Sequence, residues 1–199
     1  MYDEGTKGVG MESSEPRDGR LTYDDFVLFP DDGMRHEIID GEHYVTPSPN
    51  MRHQELLGRL HLEIALFLRQ HPDVGRVFLA PFDVVFTKWD VVEPDLLFIA
   101  RDQNDIVTPQ NVQGPPALVI EILSRSTRRV DEQVKLRLFE RGGVREYWLV
   151  DPEHDSVTLF RRQPDGSFLQ VARLTSDEHD VLTTPLMTEL VIQLAELFR

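Results

Sequence analysis

Residues 117–123 read ALVIEIL, and this stretch does more than any other to define the fold. Apolar residues occupy both alternating faces of the segment, which predicts a strand buried on both sides, as in the centre of an α/β sheet. Glu121 is its one polar side chain. A buried carboxylate is costly unless a cation or hydrogen bonds compensate it. Glu121 is therefore either the partner of a buried arginine or part of a functional site.

The segments after this strand predict a helix, a second buried strand and a hairpin. Residues 127–141 form the helix, which ends at Gly142-Gly143. The run EYWLV, residues 146–150, predicts another strand buried on both faces. VTLFRR and FLQVARL, separated by the turn-forming QPDGS of residues 163–167, predict a C-terminal hairpin.

The segments before it predict a hairpin, a helix and three strands. HEIIDGEHYVTP, with Asp40-Gly41 as its turn, predicts an N-terminal hairpin. Residues 52–70 carry leucines at helical spacing, and Pro72 ends the pattern. RVFLA, FDVVFT and PDLLFIA predict an antiparallel meander. Together these elements predict an α/β domain with a mixed β-sheet flanked by helices and with additional N-terminal and C-terminal β-hairpins.

Composition limits the classes of protein that remain. With 199 residues and 40% hydrophobic content, the chain is long enough for one sizeable core, and we assign residues 21–199 to a single domain and residues 1–20 to a flexible tail. It has no cysteine, so any metal must be held by carboxylates, histidines or carbonyls. No apolar run approaches the length of a membrane span, which predicts a soluble cytoplasmic protein with no membrane partner.

The charge distribution is ambiguous with respect to nucleic acid. The net charge of −14 counts against tight non-specific binding of DNA, which depends on Lys and Arg neutralising phosphates. Residues 125–145 are nevertheless locally basic. That run is either a solvated helix face with internal charge pairs or a surface for phosphates, and the sequence leaves both open.

Four further polar residues lie where a functional side chain is plausible, and each has a structural alternative. Asp95 begins the strand after Pro94 and is either a strand-end cap or a ligand. Lys135 follows Asp131 at i+4, which favours a surface salt bridge, but its stem also adjoins the apolar row of its helix. His53 is in phase with the apolar face of the first helix, as a core histidine or a ligand. Glu37 lies on a strand of the N-terminal hairpin.

Several motifs together resemble a known family. They are RHEIIDGE, a helix that opens with His53, EPDLLFI, ALVIEILSRST, DEQVKLRLF and GVREYWLVDP. In this combination the chain resembles the Uma2 family of restriction-endonuclease-like proteins, within the PD-(D/E)XK nuclease superfamily, from about Leu21 to Arg199. The resemblance implies a restriction-endonuclease-like core.

The resemblance also implies roles for individual residues. Asp95 and Glu121 match the two acidic positions of the superfamily and would be the metal ligands, for Mg²⁺ with Mn²⁺ as a substitute. Leu123 departs from the pattern, because it stands where the superfamily has a lysine. Lys135, on the following helix, is the residue that matches the lysine of similar proteins. His53 and Glu37 would have supporting roles, completing the shell of the metal or of a water.

The expected function is a Mg²⁺-dependent endonuclease that hydrolyses phosphodiester bonds of nucleic acid, with DNA the expected substrate and a homodimer one possible assembly. The two carboxylates would hold the metal, and Lys135 would act as a stabilising cation in preference to a general base. Two alternatives remain open. One is a protein of the same fold that binds DNA or a protein partner without cutting. The other is a glycoside hydrolase, which also uses paired carboxylates.

Overall fold

The computed structural model describes residues 19–199. The predicted flexible tail lies outside these residues except for Gly19 and Arg20, and the division into a tail and a single domain stays a prediction. Within the described range, no helix is both long enough and apolar enough to cross a membrane.

The described chain contains six helical segments and thirteen strands. The helices are α1 (Tyr23–Phe26), α2 (Met51–Gln70), a 3₁₀-helix (Arg101–Ile106), a π-helix (Val130–Lys135), α3 (Leu136–Gly142) and α4 (Leu194–Leu197). The strands are β1 (Arg35–Ile39), β2 (Glu42–Thr46), β3 (Gly75–Leu79), β4 (Val84–Thr87), β5 (Asp90–Val92), β6 (Leu96–Ala100), β7 (Val112–Gln113), β8 (Leu118–Ile122), β9 (Glu146–Asp151), β10 (Ser156–Arg162), β11 (Phe168–Thr175), β12 (Val181–Thr184) and β13 (Met187–Gln193).

The central sheet has six strands in the order β11-β10-β9-β8-β6-β3. β8 and β9 are parallel, and the other neighbouring pairs are antiparallel. The prediction of a mixed sheet is therefore confirmed. Every residue of β8 and β9 is buried, as expected for central strands that are covered on both faces.

Helices cover the two faces of this sheet. The apolar stripe of α2, including Leu56, Leu60 and Ile64, packs in one hydrophobic cluster with residues of β6, β8 and β9. Leu138 and Phe139 of α3 pack in a second cluster, which contains the alternate residues of the same strands. Each fully buried Leu or Phe contributes about 1.5–3 kcal/mol relative to an exposed one. This packing fixes both helices relative to β6 and β8.

The predicted antiparallel meander is wrong. β3 pairs with β6, whereas β4 pairs with β5 and β7 in a separate five-stranded sheet of order β2-β1-β5-β4-β7. The chain turns at Lys88-Trp89 into β5, a three-residue strand that the sequence pattern did not reveal. Because β4 satisfies its backbone hydrogen bonds with that short strand, it does not join β3.

Both predicted hairpins are confirmed. β1 and β2 pair around Asp40 and Gly41, whose φ angles of 54° and 79° are those of a type I′ turn. This hairpin belongs to the five-stranded sheet. At the other end of the chain, β10 pairs with β11 across residues 163–167. A further pair, β12 and β13, forms a two-stranded sheet of its own.

The predicted helix over residues 127–141 is present but not uniform. Its first part is the π-helix, and it continues as α3 until Gly143, which has a φ of 98° and caps the helix in the left-handed conformation. A π-helical turn changes the angular spacing of side chains relative to an α-helix. Asp131 and Lys135 are both buried within this turn.

Candidate active site

Asp95, which immediately precedes β6, lies beside Glu121 of β8. The antiparallel register pairs Leu96 with Ile120, which places Asp95 opposite Glu121. The backbone N–H of Asp95 donates to Glu121 Oε2 at 3.4 Å. Both carboxylates are buried, with 2% of each residue exposed. The structure therefore brings together the two side chains that were predicted to hold a metal.

Asp95 is surrounded by hydrogen-bond donors. Arg35 Nη1 lies 2.8 Å from Asp95 Oδ1, while His53 Nε2 and the backbone N–H of Ile122 lie 3.0 Å and 2.8 Å from Oδ2. Burial by itself would raise the pKa of Asp95, but the bond to His53 and the charge of Arg35 outweigh it and hold this pKa well below its usual range. Asp95 is therefore a carboxylate at neutral pH.

Lys135 reaches the same place from the π-helix. Its Nζ lies 2.8 Å from Glu121 Oε1, 2.9 Å from Glu37 Oε1 and 3.6 Å from Asp131 Oδ1. Burial by itself would lower the pKa of Lys135, but attraction to these three carboxylates raises it well above its ordinary value. The surface salt bridge that sequence spacing favoured is thus a buried contact, and the ammonium keeps its proton.

Glu37 and His53 both lie in the cluster. Glu37, on β1, is 1% exposed and accepts a hydrogen bond from the backbone N–H of Glu93 at 2.9 Å besides its contact with Lys135. His53 donates from Nε2 to Asp95, because a carboxylate only accepts. Its other ring nitrogen, Nδ1, has no hydrogen-bond partner among the described residues. The structure thus brings all five predicted site residues together.

Negative charge exceeds positive charge in this cluster. The carboxylates are those of Glu37, Asp95, Glu121 and Asp131, and the permanent cations are Arg35 and Lys135. Burial raises the pKa of Glu121 well above its usual range and that of Asp131 to about 6. Ionised, the four carboxylates would exceed the two permanent cations by two negative charges, which is the charge of one divalent cation.

The donor set fits a hard divalent cation only in part. Carboxylate oxygens are the ligands that Mg²⁺ and Mn²⁺ prefer, and the charge excess would be neutralised by one such ion. However, the described residues contain no group of three or more His, Asp or Glu side chains arranged to hold a metal. Asp95 and Glu121 would therefore supply two ligands, and water or substrate would supply the others.

A cavity of about 550 Å³ opens onto these groups. Asp95, Glu121 and Lys135 are among its lining residues, together with Arg35 and Ile122 of β8. Arginines and hydroxyl side chains also contribute to the lining, among them Arg52, Arg125, Ser48, Ser124, Ser126 and Thr127. A cavity that combines acidic, cationic and hydroxyl side chains offers polar partners to a bound ligand.

Most of the basic run is engaged in ion pairs. Arg128 makes a bidentate contact with Asp151 at 2.7 Å and 2.8 Å. Arg125 pairs with Glu153, Arg141 with Asp40 and Asp90, and Arg145 with Asp102. The charge pairs expected for residues 125–145 are therefore present, but these four arginines pair with acids outside the run, and Lys135 within the run is buried. Arg125 alone among the four lines the cavity.

Sequence reasoning missed two members of the cluster. Arg35 precedes Asp95 by 60 residues, and nothing in the sequence indicates that the two side chains meet. Asp131 was taken only as a surface partner of Lys135, although it is 3% exposed. Its position on the same helix face as Lys135 was the available signal. Leu123, at the position of the superfamily's lysine, is buried in the apolar cluster around α3.

The chain is similar to several known proteins. The family model for Uma2, described as "Putative restriction endonuclease", matches residues 23–195. An uncharacterized protein of Synechocystis sp., slr1290, is 27% identical over 147 residues, which are 72% of this chain and 74% of that protein.

Solved structures are similar as well. A crystal structure of a "putative nuclease belonging to DUF820" from Anabaena variabilis superposes with a TM-score of 0.72 at 20% identity, over 89% of this chain and 97% of that chain. The predicted restriction-endonuclease-like fold is thereby confirmed. The type IIG restriction endonuclease BpuSI aligns with a TM-score of 0.38 at 11% identity, over 62% of this chain and 13% of that chain, which is too distant to support an argument.

Proposed function

Since the chain belongs to the Uma2 family, whose model spans residues 23–195, we propose that it is a metal-dependent nuclease that hydrolyses phosphodiester bonds of nucleic acid, with DNA as the expected substrate. One observation carries the proposal: Lys135 Nζ lies 2.8 Å from Glu121 Oε1. In the superfamily's pattern the cation beside the acidic pair is a lysine on the strand, at the position where this chain has Leu123. Here a helix supplies that cation as Lys135.

The metal would be Mg²⁺ or Mn²⁺, held by Asp95 and Glu121. When bound, it would polarise the phosphodiester and lower the pKa of a water near it. Burial raises the pKa of Glu121, and a dication beside it would favour the ionised form of this carboxyl. Among the described residues, Glu121 Oε2 has one long contact, at 3.4 Å from the backbone N–H of Asp95, which leaves it the more available oxygen.

The remaining residues would hold the charges of the site in place. Lys135 stays protonated because three carboxylates surround it, which supports its role as a stabilising cation instead of a general base. Glu37 binds the ammonium at 2.9 Å and so orients Lys135 toward Glu121. His53 binds Asp95 at 3.0 Å and orients its carboxylate. Both are positioning roles.

A nicking assay tests this proposal. Purified protein with Mg²⁺ or Mn²⁺ should nick supercoiled plasmid or cleave single-stranded DNA or RNA, and Asp95→Asn or Glu121→Gln should abolish the cleavage while the protein stays folded. Glu146→Gln is the matched control, since Glu146 is also buried but bonds to Trp148 and Thr184 outside the cavity. It should keep its activity. Cleavage that persists in both site variants would reject the assigned site.

A protein that binds without cutting is the second candidate. The net charge of −14 and the lack of a third acidic or histidine ligand in the described chain favour it. If neither metal supports cleavage of plasmid, single-stranded DNA or RNA, while the protein still binds an oligonucleotide, this second candidate replaces the first. The predicted homodimer stays a prediction in both cases, and sedimentation velocity measures it directly.

A further inference from the structure

Arg35 has a position that the roles above do not explain. It begins β1, and it lines two cavities, the one that contains the acidic pair and a second of about 650 Å³. Its side chain is 18% exposed, and Nη1 is 2.8 Å from Asp95 Oδ1. Because this guanidinium is so close to a proposed metal ligand, its positive charge would affect metal binding.

The contacts of Asp95 show which oxygen Arg35 occupies. Oδ2 accepts hydrogen bonds from His53 and from the backbone of Ile122, both of which are held by the fold. Oδ1 accepts from Arg35. A cation bound to Asp95 through Oδ1 would therefore meet a guanidinium that already uses this oxygen, in a buried site where repulsion between cations is weakly screened. A metal ion at Oδ1 would therefore compete with Arg35 for this carboxylate oxygen.

A phosphodiester offers Arg35 another partner. The planar guanidinium binds phosphate through two parallel hydrogen bonds, which lysine cannot do. Arg35 lines the same cavity as Asp95 and Glu121, so a phosphate that entered this cavity would approach Arg35. A phosphate there draws the guanidinium away from Asp95 and adds negative charge beside the acidic pair, and both effects favour metal binding.

From this geometry we propose that Arg35 couples metal binding to the arrival of nucleic acid. Without nucleic acid it occupies Asp95 and lowers the affinity of the site for the divalent ion. When a phosphodiester is present it transfers to the phosphate and frees Asp95 Oδ1 for the metal. The inference rests on the proposed nuclease site. By linkage, the metal and the nucleic acid then raise each other's affinity by the same factor.

The test measures Mn²⁺ affinity by calorimetry or electron paramagnetic resonance, with and without a short phosphorothioate oligonucleotide. Wild-type protein should bind Mn²⁺ more tightly when the oligonucleotide is present. Arg35→Gln should bind Mn²⁺ about 10-fold more tightly than wild type without the oligonucleotide, a coupling of the usual size. It should also lose most of the increase that the oligonucleotide causes. Arg35→Lys, which keeps the charge, should resemble wild type without the oligonucleotide.

Arg161→Gln is the matched control, because Arg161 Nε also binds a buried carboxylate, Glu146 Oε1, at 2.7 Å, but lies outside the cavity. It should leave Mn²⁺ affinity unchanged. If Arg35→Gln binds Mn²⁺ no more tightly than wild type, Arg35 does not compete and the inference is rejected. If Arg35→Gln does not fold, wild type alone tests the inference. The inference is then rejected if the oligonucleotide does not change the affinity of wild type for Mn²⁺.

The same proteins separate this inference from the proposed function. Metal-dependent nicking by wild type, together with unchanged Mn²⁺ affinity in Arg35→Gln, rejects the coupling and leaves the nuclease proposal intact. Coupled binding without any cleavage supports the coupling and rejects the nuclease. Absence of Mn²⁺ binding in both wild type and Arg35→Gln rejects both.

Discussion

Lys135 decides the electrostatic balance of the buried cluster. The residue is 3% exposed, and its ammonium contacts carboxylates from three elements, namely Glu37 on β1, Glu121 on β8 and Asp131 on its own π-helix. A buried charge that loses its partner is far more destabilising than a lost surface pair. The stability of the site and its proposed chemistry therefore depend on the same side chain.

Lys135→Met should lower the free energy of unfolding at neutral pH by about 3 to 5 kcal/mol, because it leaves buried carboxylates without their cation. The loss should shrink at acidic pH, where Glu121 and Asp131 take up protons. Urea unfolding at neutral pH and near pH 5 measures both effects. Lys135→Arg keeps the charge and serves as the control. A loss that is the same at both pH values would show that packing, not charge, is responsible.

The carboxyl of Glu93 should cause a second pH dependence of the free energy of unfolding. Burial, together with repulsion from Asp83, raises the pKa of Glu93 from 4.5 to about 7. Between these values the native protein binds more protons than the unfolded chain, so this group makes the free energy of unfolding fall as the pH rises. Glu93→Gln cannot ionise. It should match wild type near pH 4.5 and be more stable than wild type above pH 7, measured by urea unfolding.

The Glu93→Gln comparison has a clear contrary outcome. If the difference in unfolding free energy between the variant and wild type is the same across this pH range, the carboxyl of Glu93 does not titrate with a raised pKa. Asp165→Asn is a suitable reference, because Asp165 is exposed and its pKa is lowered by bonds to Ser167. That variant should show no dependence in the same window.

Several site residues lie at or next to the ends of helices and strands. α2 begins at the cavity with Asn50 as its N-cap, and its first turn carries His53 to Asp95. The π-helix carries Lys135 and Asp131 inward before the chain continues as α3. β6 and β8 contribute Asp95 and Glu121 at the same end of the sheet. The site is therefore sensitive to changes that only shift the end of an element.

Asn50→Ala should lower the free energy of unfolding by about 1 kcal/mol, because Asn50 Oδ1 accepts the backbone N–H of His53 at 2.9 Å and caps α2. It should also lower the rate of any metal-dependent cleavage, since His53 loses the cap that holds its turn. Asn50→Ser keeps a capping oxygen and should recover most of both. Urea unfolding and the nicking assay measure the two effects, and equal losses in the Ala and Ser variants would argue against a capping role.

The net charge of the whole molecule is unfavourable for binding a polyanion. Its net charge is −14, and the arginines at positions 125, 128, 141 and 145 pair with acids of the protein itself. The cations that line the cavity are Arg35, Arg52, Arg125 and Lys135, and each of them also contacts an acid of the protein. Nucleic acid would thus contact the protein through few phosphates.

Few contacts predict a weak dependence of binding on salt. The logarithm of the affinity for an oligonucleotide should fall against the logarithm of salt concentration with a slope of about −3, as expected for three or four neutralised phosphates. Fluorescence anisotropy with a phosphorothioate oligonucleotide measures the slope. A slope steeper than about −6 would require cationic surface beyond the cavity, such as a second copy of the chain could contribute.

Local order along the chain was readable from the sequence alone. The buried strand of residues 117–123, the long amphipathic helix and both hairpins were predicted, because burial imposes a period on neighbouring residues and turns require particular residue types. Glu121 stood out for the same reason, since a single charge within an apolar strand contradicts that period. The restriction-endonuclease-like fold followed from these motifs through their resemblance to the Uma2 family.

Pairing and proximity were decided only by the tertiary structure. β3 pairs with β6 and not with β4, Arg35 meets Asp95 across 60 residues, and the i+4 pair of Asp131 and Lys135 turns inward to Glu121. Strand patterns do not specify which strand will satisfy another's hydrogen bonds. Whether a charged side chain is buried likewise depends on partners from distant segments, because only the assembled core removes water and makes their attraction strong.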